Sequence, residues 1–267
     1  MVPYLFDLAT LKLPLLAAAV ALLWLAESFA PHFVAFIRDA RARRSHALRN
    51  AALALINGLL GIAVLGALIA GSVALADARH FGLVRLAELP PWAAALAALL
   101  LFDCWMYWWH RINHAVPFLW RFHRVHHSDP RMDVTTALRF HPGEIVLSTA
   151  ARLLVVNLIG MELWHLALYE LISLPIVAFH HSNIALPRRV DSALRWLMVT
   201  PWMHWVHHST ERAETNSNYS SVLSIWDRLF RSYRFRPDPD AIRFGLDEFP
   251  DEARHQGVPG MLKTPVE

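Results

Sequence analysis

Residues 92–114 read WAAALAALLLFDCWMYWWHRINH, an apolar run that passes directly into a pair of histidines. The apolar part, 92–109, contains one charged residue, Asp103, and approaches the length of about 20 residues that a helix needs to cross a bilayer. His110 and His114 follow four positions apart, so a helix would carry both imidazoles on one face. This stretch predicts a membrane-spanning helix that places histidines at one membrane surface.

The composition of the 267-residue chain agrees with a membrane protein. Hydrophobic residues make up 55% and charged residues 18% of the chain, and the mean hydropathy is +0.32. A disordered chain is excluded because such chains are poor in apolar residues. An ordinary soluble domain would carry about 25% charged residues. The single cysteine, Cys104, excludes an internal disulfide and a C-x-x-C motif.

Three further apolar stretches are long enough to enter the bilayer, at 13–30, 51–76 and 145–179. The last stretch is long enough for a helical hairpin, either re-entrant or spanning, and is interrupted by Arg152, Glu162, His165 and Glu170. Because an ionisable group is costly at depth, these four side chains should face protein or the membrane interface. The predicted fold is all-α, an integral membrane helical bundle of about three single spans plus this hairpin.

Basic residues give the expected orientation of the bundle. Five arginines lie between 38 and 49, in the loop after the first span, whereas two acidic residues balance two arginines in the next loop. The positive-inside rule then places the first loop in the cytoplasm, together with a helical cap that carries the histidines from His110 onward. Because basic residues concentrate beside apolar runs, the net charge of +3 indicates membrane topology and no nucleic-acid partner.

Histidines are the strongest functional signal in the chain, which contains sixteen of them. The clusters are His110-x-x-x-His114, His123-x-x-His126-His127, His180-His181 and His204-x-x-His207-His208. On a helix, positions i, i+3 and i+4 share one face, so each H-x-x-H-H is expected to direct its imidazoles toward one point. A lone histidine is usually a hydrogen-bonded core residue, but several clusters on one side of a membrane indicate a metal site.

The number and type of these ligands indicate the metal chemistry. Neutral imidazole binds iron, copper, nickel and zinc, whereas magnesium and calcium prefer oxygen. A structural zinc ion is satisfied by about four ligands, so nine or ten histidines imply two ions. Two redox-capable ions beside an apolar cavity suggest activation of dioxygen for attack on a lipid C–H bond. The sequence has no G-x-G-x-x-G motif for a flavin or nicotinamide, so electrons should come from a separate protein.

Longer motifs surround the histidines. They are YWWHRINH at 107–114, WRFHRVHHS at 120–128, RFHP at 139–142, HSN at 181–183, MHWVHHS at 203–209, ETNSNY at 214–219 and WDRLF at 226–230. Together they resemble the fatty acid hydroxylase superfamily, also called the sterol desaturase family, over about 95–233. The resemblance implies an integral membrane enzyme with a cytosol-facing, histidine-bound di-iron centre that uses dioxygen and external electrons.

The resemblance also implies a set of nine metal ligands. Carried over position by position, these ligands, which would also be the catalytic residues, are His110, His114, His123, His126, His127, His181, His204, His207 and His208. His181 is favoured over His180 because the family motif fixes the histidine before Ser-Asn. His141 is expected to support a ligand rather than to bind metal. Carboxylates offered as orienting groups are Asp103, Asp133, Glu144 and Asp227.

Three regions are predicted along the chain. Residues 1–94 form membrane helices and loops, 95–233 form the hydroxylase-like catalytic domain, and 234–267 form a polar cytoplasmic tail. The tail is expected to be extended from Pro237 because it is rich in proline and lacks apolar periodicity. Replacing His46, His80 or His255, which lie outside the motifs, is expected to change little, and His165 should serve packing or hydrogen bonding.

The function that fits these features is a membrane-bound di-iron oxygenase that hydroxylates a lipid or sterol-like substrate. Desaturation by the same centre is the alternative, because hydrogen abstraction precedes both outcomes. A third hypothesis is a non-enzymatic, histidine-rich metal-binding membrane protein, which predicts ionisable residues at mid-bilayer in several spans. The histidine clusters instead follow the third span and the hairpin.

Overall fold

The computed structural model describes residues 3–61, 65–249 and 252–267, and within these residues the chain forms helices without a β-strand. The long helices are α1 (Pro3–Phe29), α3 (Ala40–Leu60), α4 (Gly66–Ala78), α6 (Pro91–Ala115), α8 (Pro142–Ile159) and α9 (Leu163–His181). The shorter helices are α2 (Ala35–Arg38), α5 (Leu83–Leu86), α7 (Pro117–His127), α10 (Arg188–Leu194), α11 (Pro201–His207), α12 (Arg212–Thr215), α13 (Ile225–Leu229), α14 (Glu252–His255) and α15 (Val258–Lys263).

Five helical segments of the described chain are long and apolar enough to cross a membrane. They are Thr10–Phe29, Gly66–Leu86, Pro91–Ala115, Pro142–Ile159 and Leu163–His181. Many large apolar side chains on these segments face outward, among them Leu22, Leu96 and Leu154. Contact of such an apolar surface with lipid is favourable, whereas its contact with water is not. The prediction of an all-α integral membrane bundle with three single spans and a hairpin is confirmed.

The second span lies later in the chain than the sequence predicts. The apolar stretch at 51–76 is divided between α3 and α4, and residues 62–64 of it lie outside the described part. The first half of α3 is held at the histidine end of the bundle, where Arg43 pairs with Glu27 and His46 pairs with Asp129. The segment that can span is therefore Gly66–Leu86.

The hairpin of α8 and α9 reaches the end of the bundle opposite the histidines. Its turn at Gly160 contacts Gly82 in the loop between α4 and α5, and both glycines have positive φ. A Cβ on Gly82 would lie 2.2 Å from the Gly160 Cα atom, so only glycine fits there. Arg85 also donates to the Gly160 carbonyl (3.2 Å). These contacts favour a hairpin that crosses as far as its neighbours over a re-entrant one.

Polar residues inside the hairpin have protein partners, as predicted. Arg152 of α8 pairs with Glu170 of α9 (3.0 Å), and Lys12 of α1 approaches the other oxygen of Glu170 (2.5 Å). At the start of α9, the backbone N–H of Glu162 donates to Nδ1 of His165 (3.0 Å). The expectation that His165 serves a hydrogen-bonding role is therefore confirmed.

Prolines set the start of the short helices at the histidine end. Pro117 occupies the first turn of α7 and Pro201 the first turn of α11. Val116 is extended (φ −95°, ψ 114°), as the residue before a proline prefers, so α6 ends and α7 begins in a new direction. The Thr200 side chain accepts from the backbone N–H of Met203 and caps α11. Both H-x-x-H-H motifs are thereby carried on helices that start at a fixed point.

The C-terminal segment is not an extended tail, and that expectation is wrong for its described residues. Met261 of α15 is fully buried against Leu53 and Val125. Gln256 donates to the backbone carbonyl of Ser128 (2.7 Å) and accepts from Arg139 (2.8 Å). A few anchoring side chains in and between short helices hold the segment against the cap, and such anchors leave no periodic pattern in the sequence.

Candidate metal centre

Nine buried or half-buried histidines form two groups at one end of the bundle. In each group, one ring nitrogen per residue lies within 4.8 Å of the corresponding nitrogen of every other member. The group of five contains His110, His114, His123, His127 and His207. The group of four contains His126, His181, His204 and His208. The structure thus brings together all nine residues that the sequence analysis names as ligands.

The two H-x-x-H-H motifs do not each point to one place, contrary to expectation. In α7, His123 and His127 belong to the group of five and His126 to the group of four. The motif at α11 is divided in the opposite sense, with its i, i+4 pair in the group of four and the third histidine in the group of five. Successive residues of a helix are rotated by about 100°, so adjacent histidines serve different groups.

Hydrogen bonds to one ring nitrogen fix the orientation of several of these imidazoles. Nδ1 lies within hydrogen-bond distance of a backbone carbonyl in four of them. The pairs are His110 with Tyr219 (2.8 Å), His126 with Arg139 (3.2 Å), His181 with Val177 (2.7 Å) and His207 with Ser217 (2.7 Å). Because a carbonyl only accepts, Nδ1 carries the proton and Nε2 keeps a free lone pair.

The group of four contains contacts that hydrogen bonding alone does not explain. Nε2 of His181 lies 3.1 Å from Nε2 of His126 and 3.0 Å from Nε2 of His204. Since the Nδ1 atoms of His126 and His181 donate to carbonyls, two lone pairs face each other. Nitrogens about 2.1 Å from one metal ion and at right angles are about 3.0 Å apart. The donor set therefore fits a bound cation.

The group of five also fits a cation, because its inward nitrogens are buried and lack partners. Nε2 of His110, His123 and His207 has no hydrogen-bond partner within the described chain. Burial lowers the pKa of His207 to about 3, despite the hydrogen bond to Ser217. Burial and the neighbouring imidazoles also hold the pKa of His127 well below its usual value. Neutral imidazoles with free lone pairs are the form that binds metal.

Of the four carboxylates expected to orient ligands, one touches a ligand directly. Oε1 of Glu144 accepts from Nδ1 of His123 (2.7 Å). Asp227 acts indirectly. It accepts a hydrogen bond from the backbone N–H of Tyr219, and the Tyr219 carbonyl accepts from Nδ1 of His110. Such contacts fix the tautomer and orientation of a metal-binding ring.

Asp103 and Asp133 have other partners, so their expected role as direct orienting groups is wrong. Asp103 accepts from the Tyr169 hydroxyl (2.8 Å) and the Trp226 ring (2.7 Å). Asp133 caps the 3-10 helix Val134–Leu138 and contacts His46 (3.1 Å). Both carboxylates have partners in the fold around the nine clustered histidines and form no hydrogen bond with any of the nine.

His46 is the main residue that sequence reasoning missed. Its ring is buried, with Nε2 2.8 Å from Asp129 and Nδ1 3.1 Å from Asp133. Burial alone would favour the neutral ring, but the two carboxylates raise the pKa of His46 to about 10. His46 belongs to neither histidine group. The sequence predicts little effect from replacing His46, whereas its buried contacts with two carboxylates predict a loss of stability.

Two further histidines lie beside the groups. His180 packs against His204, with ring centroids 4.1 Å apart, but belongs to neither group. His141 accepts from the backbone N–H of Gly143 at the start of α8 (2.9 Å), and its Nε2 lies 3.2 Å from the Leu262 carbonyl. His141 therefore caps a helix. Of the adjacent residues His180 and His181, His181 is the one whose ring nitrogen belongs to a histidine group.

A cavity of about 390 Å³ opens beside the histidines, between α3, α6, α8 and α9. Its histidine wall includes His110, His123, His126 and His204. The other walls are largely apolar, and they include Trp105, Met106, Trp109, Phe140, Leu174 and Val177. An apolar cavity that ends on polar groups is the usual form of a site for a small amphiphilic molecule.

These features define a class of protein, a helical membrane protein with two histidine groups that could each hold a metal ion at the end of an apolar cavity. The family model described as fatty acid hydroxylase matches residues 95–232, just over half of the chain. The chain belongs to the fatty acid hydroxylase family, and the predicted resemblance is confirmed.

Curated relatives are similar to the same part of the chain. Alkylglycerol monooxygenase of Danio rerio is 30% identical over 164 residues, which is 58% of this chain and 34% of that protein. Ornithine lipid hydroxylase OlsE of Rhizobium tropici is 30% identical over 55% of this chain and 44% of its own length. Cholesterol 25-hydroxylase of Mus musculus is 26% identical over 55% and 49%.

The chain thus spans between a third and a half of the length of these relatives. No solved structure matches the chain.

Proposed function

We propose that the protein is a membrane-bound oxygenase that holds two iron ions with its nine clustered histidines and hydroxylates a C–H bond of a lipid or sterol-like substrate. Dioxygen is the co-substrate, and electrons come from a separate protein. The observation that carries this proposal is the convergence of unprotonated Nε2 atoms in two adjacent groups at the end of an apolar cavity.

The choice of iron and of oxygenation rests on chemistry and on the relatives. Imidazole groups alone would also suit copper, nickel or zinc. Zinc has no redox chemistry, whereas the relatives carry the names monooxygenase and hydroxylase. Bound iron supplies the reductive activation of dioxygen. Two metal groups and a lipid-sized cavity favour this function over a metal-binding protein without catalysis.

The protein residues have three tasks in such a reaction. Glu144 and the backbone carbonyls of Tyr219, Arg139 and Val177 hold the imidazoles in fixed orientations. The apolar cavity walls exclude water and place a hydrocarbon segment against the histidine wall. The compact hydrogen-bond network around Asp227 keeps the backbone near Tyr219 and Ser220 in place.

Hydroxylation and desaturation are distinguished by the product. The experiment uses purified protein in lipid nanodiscs, loaded with ferrous iron, given a chemical reductant and ¹⁸O₂, and incubated with a membrane lipid extract. Hydroxylation predicts a product with one ¹⁸O atom, whereas desaturation predicts the loss of two hydrogens and no label. Iron binding without any change in the lipids would contradict both and would favour the metal-binding alternative.

The histidine end is proposed to face the cytoplasm. Arg41, Arg44 and Arg49 lie at this end on α3, and the positive-inside rule favours the cytoplasm for them. Single cysteines at Ser45 and at His80, in a Cys104→Ser background, report the orientation in intact cells. A membrane-impermeant maleimide should label the cysteine at position 80 and spare position 45. The reverse pattern would contradict the proposed orientation.

A further inference from the structure

The inner end of the cavity contains an arginine within a membrane-spanning helix. Arg152 on α8 lines the cavity together with Tyr169, Glu170 and Ser173 of α9. An ionisable group inside a span is costly and usually marks a functional position. The metal groups use none of these residues.

The depth of this polar end follows from helix geometry. Arg152 lies eight residues beyond Glu144 on α8, which is about 12 Å along the helix axis. Glu170 lies eleven residues before His181 on α9, about 16 Å along that axis. The cavity therefore extends about 12 to 16 Å from the histidines to a polar group that lies at membrane depth.

The guanidinium of Arg152 lies over the Phe102 ring (5.8 Å to the centroid) and, within the described part of the chain, forms hydrogen bonds through only one of its nitrogens. Its Nη1 donates to Oε1 of Glu170 (3.0 Å), whereas Nε and Nη2 donate no hydrogen bond to the described residues. The Nε and Nη2 hydrogens lie on one edge of the planar group and form a fork with the spacing of two carboxylate oxygens. About a quarter of the Arg152 side chain is exposed (27%), and the residue lines the cavity.

Nearby carboxylates do not complete this fork. Glu170 already has a cation at each oxygen, Arg152 at Oε1 and Lys12 at Oε2. Asp103 of α6 accepts from Tyr169, Trp226 and the Leu223 backbone. A structural ion pair between α8 and α9 needs only the Nη1 contact, so it leaves Nε and Nη2 of this cavity-lining arginine unused.

We propose that the free edge of Arg152 binds the carboxylate of a lipid substrate at the inner end of the cavity. The hydrocarbon chain then runs along the apolar walls, and the carbon that reaches the histidines lies about 12 to 16 Å from the carboxylate. That the bound lipid is a substrate rests on the proposed function. Binding of the carboxylate to Arg152 does not depend on turnover.

The test measures equilibrium binding of three radiolabelled probes of equal chain length to the metal-loaded protein in nanodiscs, with empty nanodiscs as background. The probes are myristate, tetradecanol and tetradecylammonium, at an alkaline pH where the carboxyl group is ionised. A bidentate charge-assisted contact predicts about ten- to hundredfold tighter binding of myristate than of tetradecanol. Tetradecylammonium should bind most weakly because it meets a cation.

Variants separate recognition from folding. Arg152→Met removes the fork, and Arg152→Lys keeps the charge opposite Glu170 but loses the planar fork. Both should lose most of the preference for myristate while tetradecanol binding stays within about twofold. Arg85→Met is the matched control, because Arg85 is also an arginine that holds the hairpin but lies at its turn, and it should keep the preference.

The outcomes are distinct from those of the proposed function. Equal binding of myristate and tetradecanol by the wild-type protein, or a preference unchanged in Arg152→Lys, would overturn the carboxylate site. If Arg152→Met does not fold, Arg152→Lys decides. Selective binding of myristate by a protein that never incorporates labelled oxygen into lipid would support the site and contradict the oxygenase.

Discussion

Two buried, histidine-containing regions lie side by side at the same end of the bundle. One consists of the two histidine groups that we propose as metal sites, and the other is the network of His46 with Asp129 and Asp133. His46 and His127 are almost equally buried, at 2% and 1% exposure. Burial therefore does not distinguish a candidate ligand from a structural histidine.

The partner of each ring nitrogen does distinguish them. His46 meets a carboxylate at both nitrogens, so both carry protons and neither is free for a metal. His126 and His181 use one nitrogen for a backbone carbonyl and direct the other at neighbouring imidazoles. The first arrangement stabilises a cationic ring, and the second requires a neutral one. Substitutions in the two regions should therefore have different consequences.

The largest effect is expected from removing a ligand of either group. His127→Ala in the group of five and His208→Ala in the group of four should each release at least one metal ion. Turnover should fall by more than about a hundredfold. Losing a residue that only supports a ligand typically costs about ten- to hundredfold, so a larger loss indicates a ligand. Metal analysis and lipid product assays check this result. Full metal content in either variant would contradict the ligand assignment.

The next largest effect is expected on stability, from His46→Ala. The variant leaves Asp129 and Asp133 buried without their cation, which should lower the free energy of unfolding by about 3 to 5 kcal/mol. Thermal unfolding in detergent measures this change. The exposed His80→Ala should shift stability by less than about 0.5 kcal/mol. A similar small shift for His46→Ala would mean that its carboxylate contacts contribute little.

The His46 network also predicts a pH dependence. Its pKa is raised from 6.5 to about 10 in the folded protein, because the two carboxylates outweigh the effect of burial. The protonated ring is thus stabilised by folding, and its contribution is fully present below about pH 6.5 and is lost as the pH rises through 10. The difference in unfolding temperature between wild type and His46→Ala should shrink between pH 7 and pH 10.

A smaller effect is expected from Glu144→Ala, which removes the carboxylate behind His123. Loss of such a support typically weakens metal binding by about ten- to hundredfold. Because Glu144 contacts no member of the group of four, a metal competition titration should show weaker binding of one ion and unchanged binding of the other. Ser148→Ala, one turn further along α8, is the control. Equal weakening of both ions would contradict two separable groups.

The smallest effect is expected from His141→Ala. His141 caps α8 through the backbone N–H of Gly143, and the loss of an N-terminal cap costs about 1 kcal/mol. Metal content should remain that of the wild type. Metal depletion as large as in His127→Ala would show that the cap residue is a ligand.

Much of this organisation follows from sequence because it depends on local periodicity. Apolar runs of sufficient length predict five membrane-spanning segments, although the second lies later in the chain than its apolar run, and the spacing of histidines predicts which residues the fold brings together. Pro117 and Pro201 mark the helix starts that carry the H-x-x-H-H motifs. These features depend on neighbours within a few residues.

Features that depend on distant contacts were not predictable in the same way. Adjacent histidines such as His126 and His127 serve different groups, and only the position of the histidines of α9 and α11 relative to α7 decides which. The carbonyls that hold the rings belong to residues of any type, so they leave no sequence signal. His46 lies 83 positions before Asp129, and Met261 packs against Val125. No periodic pattern links such pairs.

The stoichiometry of metal bound to the wild-type protein tests the central claim most directly. Protein purified without chelators, loaded anaerobically with ferrous iron and freed of loose metal by gel filtration is analysed by mass spectrometry of its metals. The two histidine groups predict about two iron ions per chain, because a structural site uses about four ligands. One iron ion per chain, or none, would contradict the account of two metal groups.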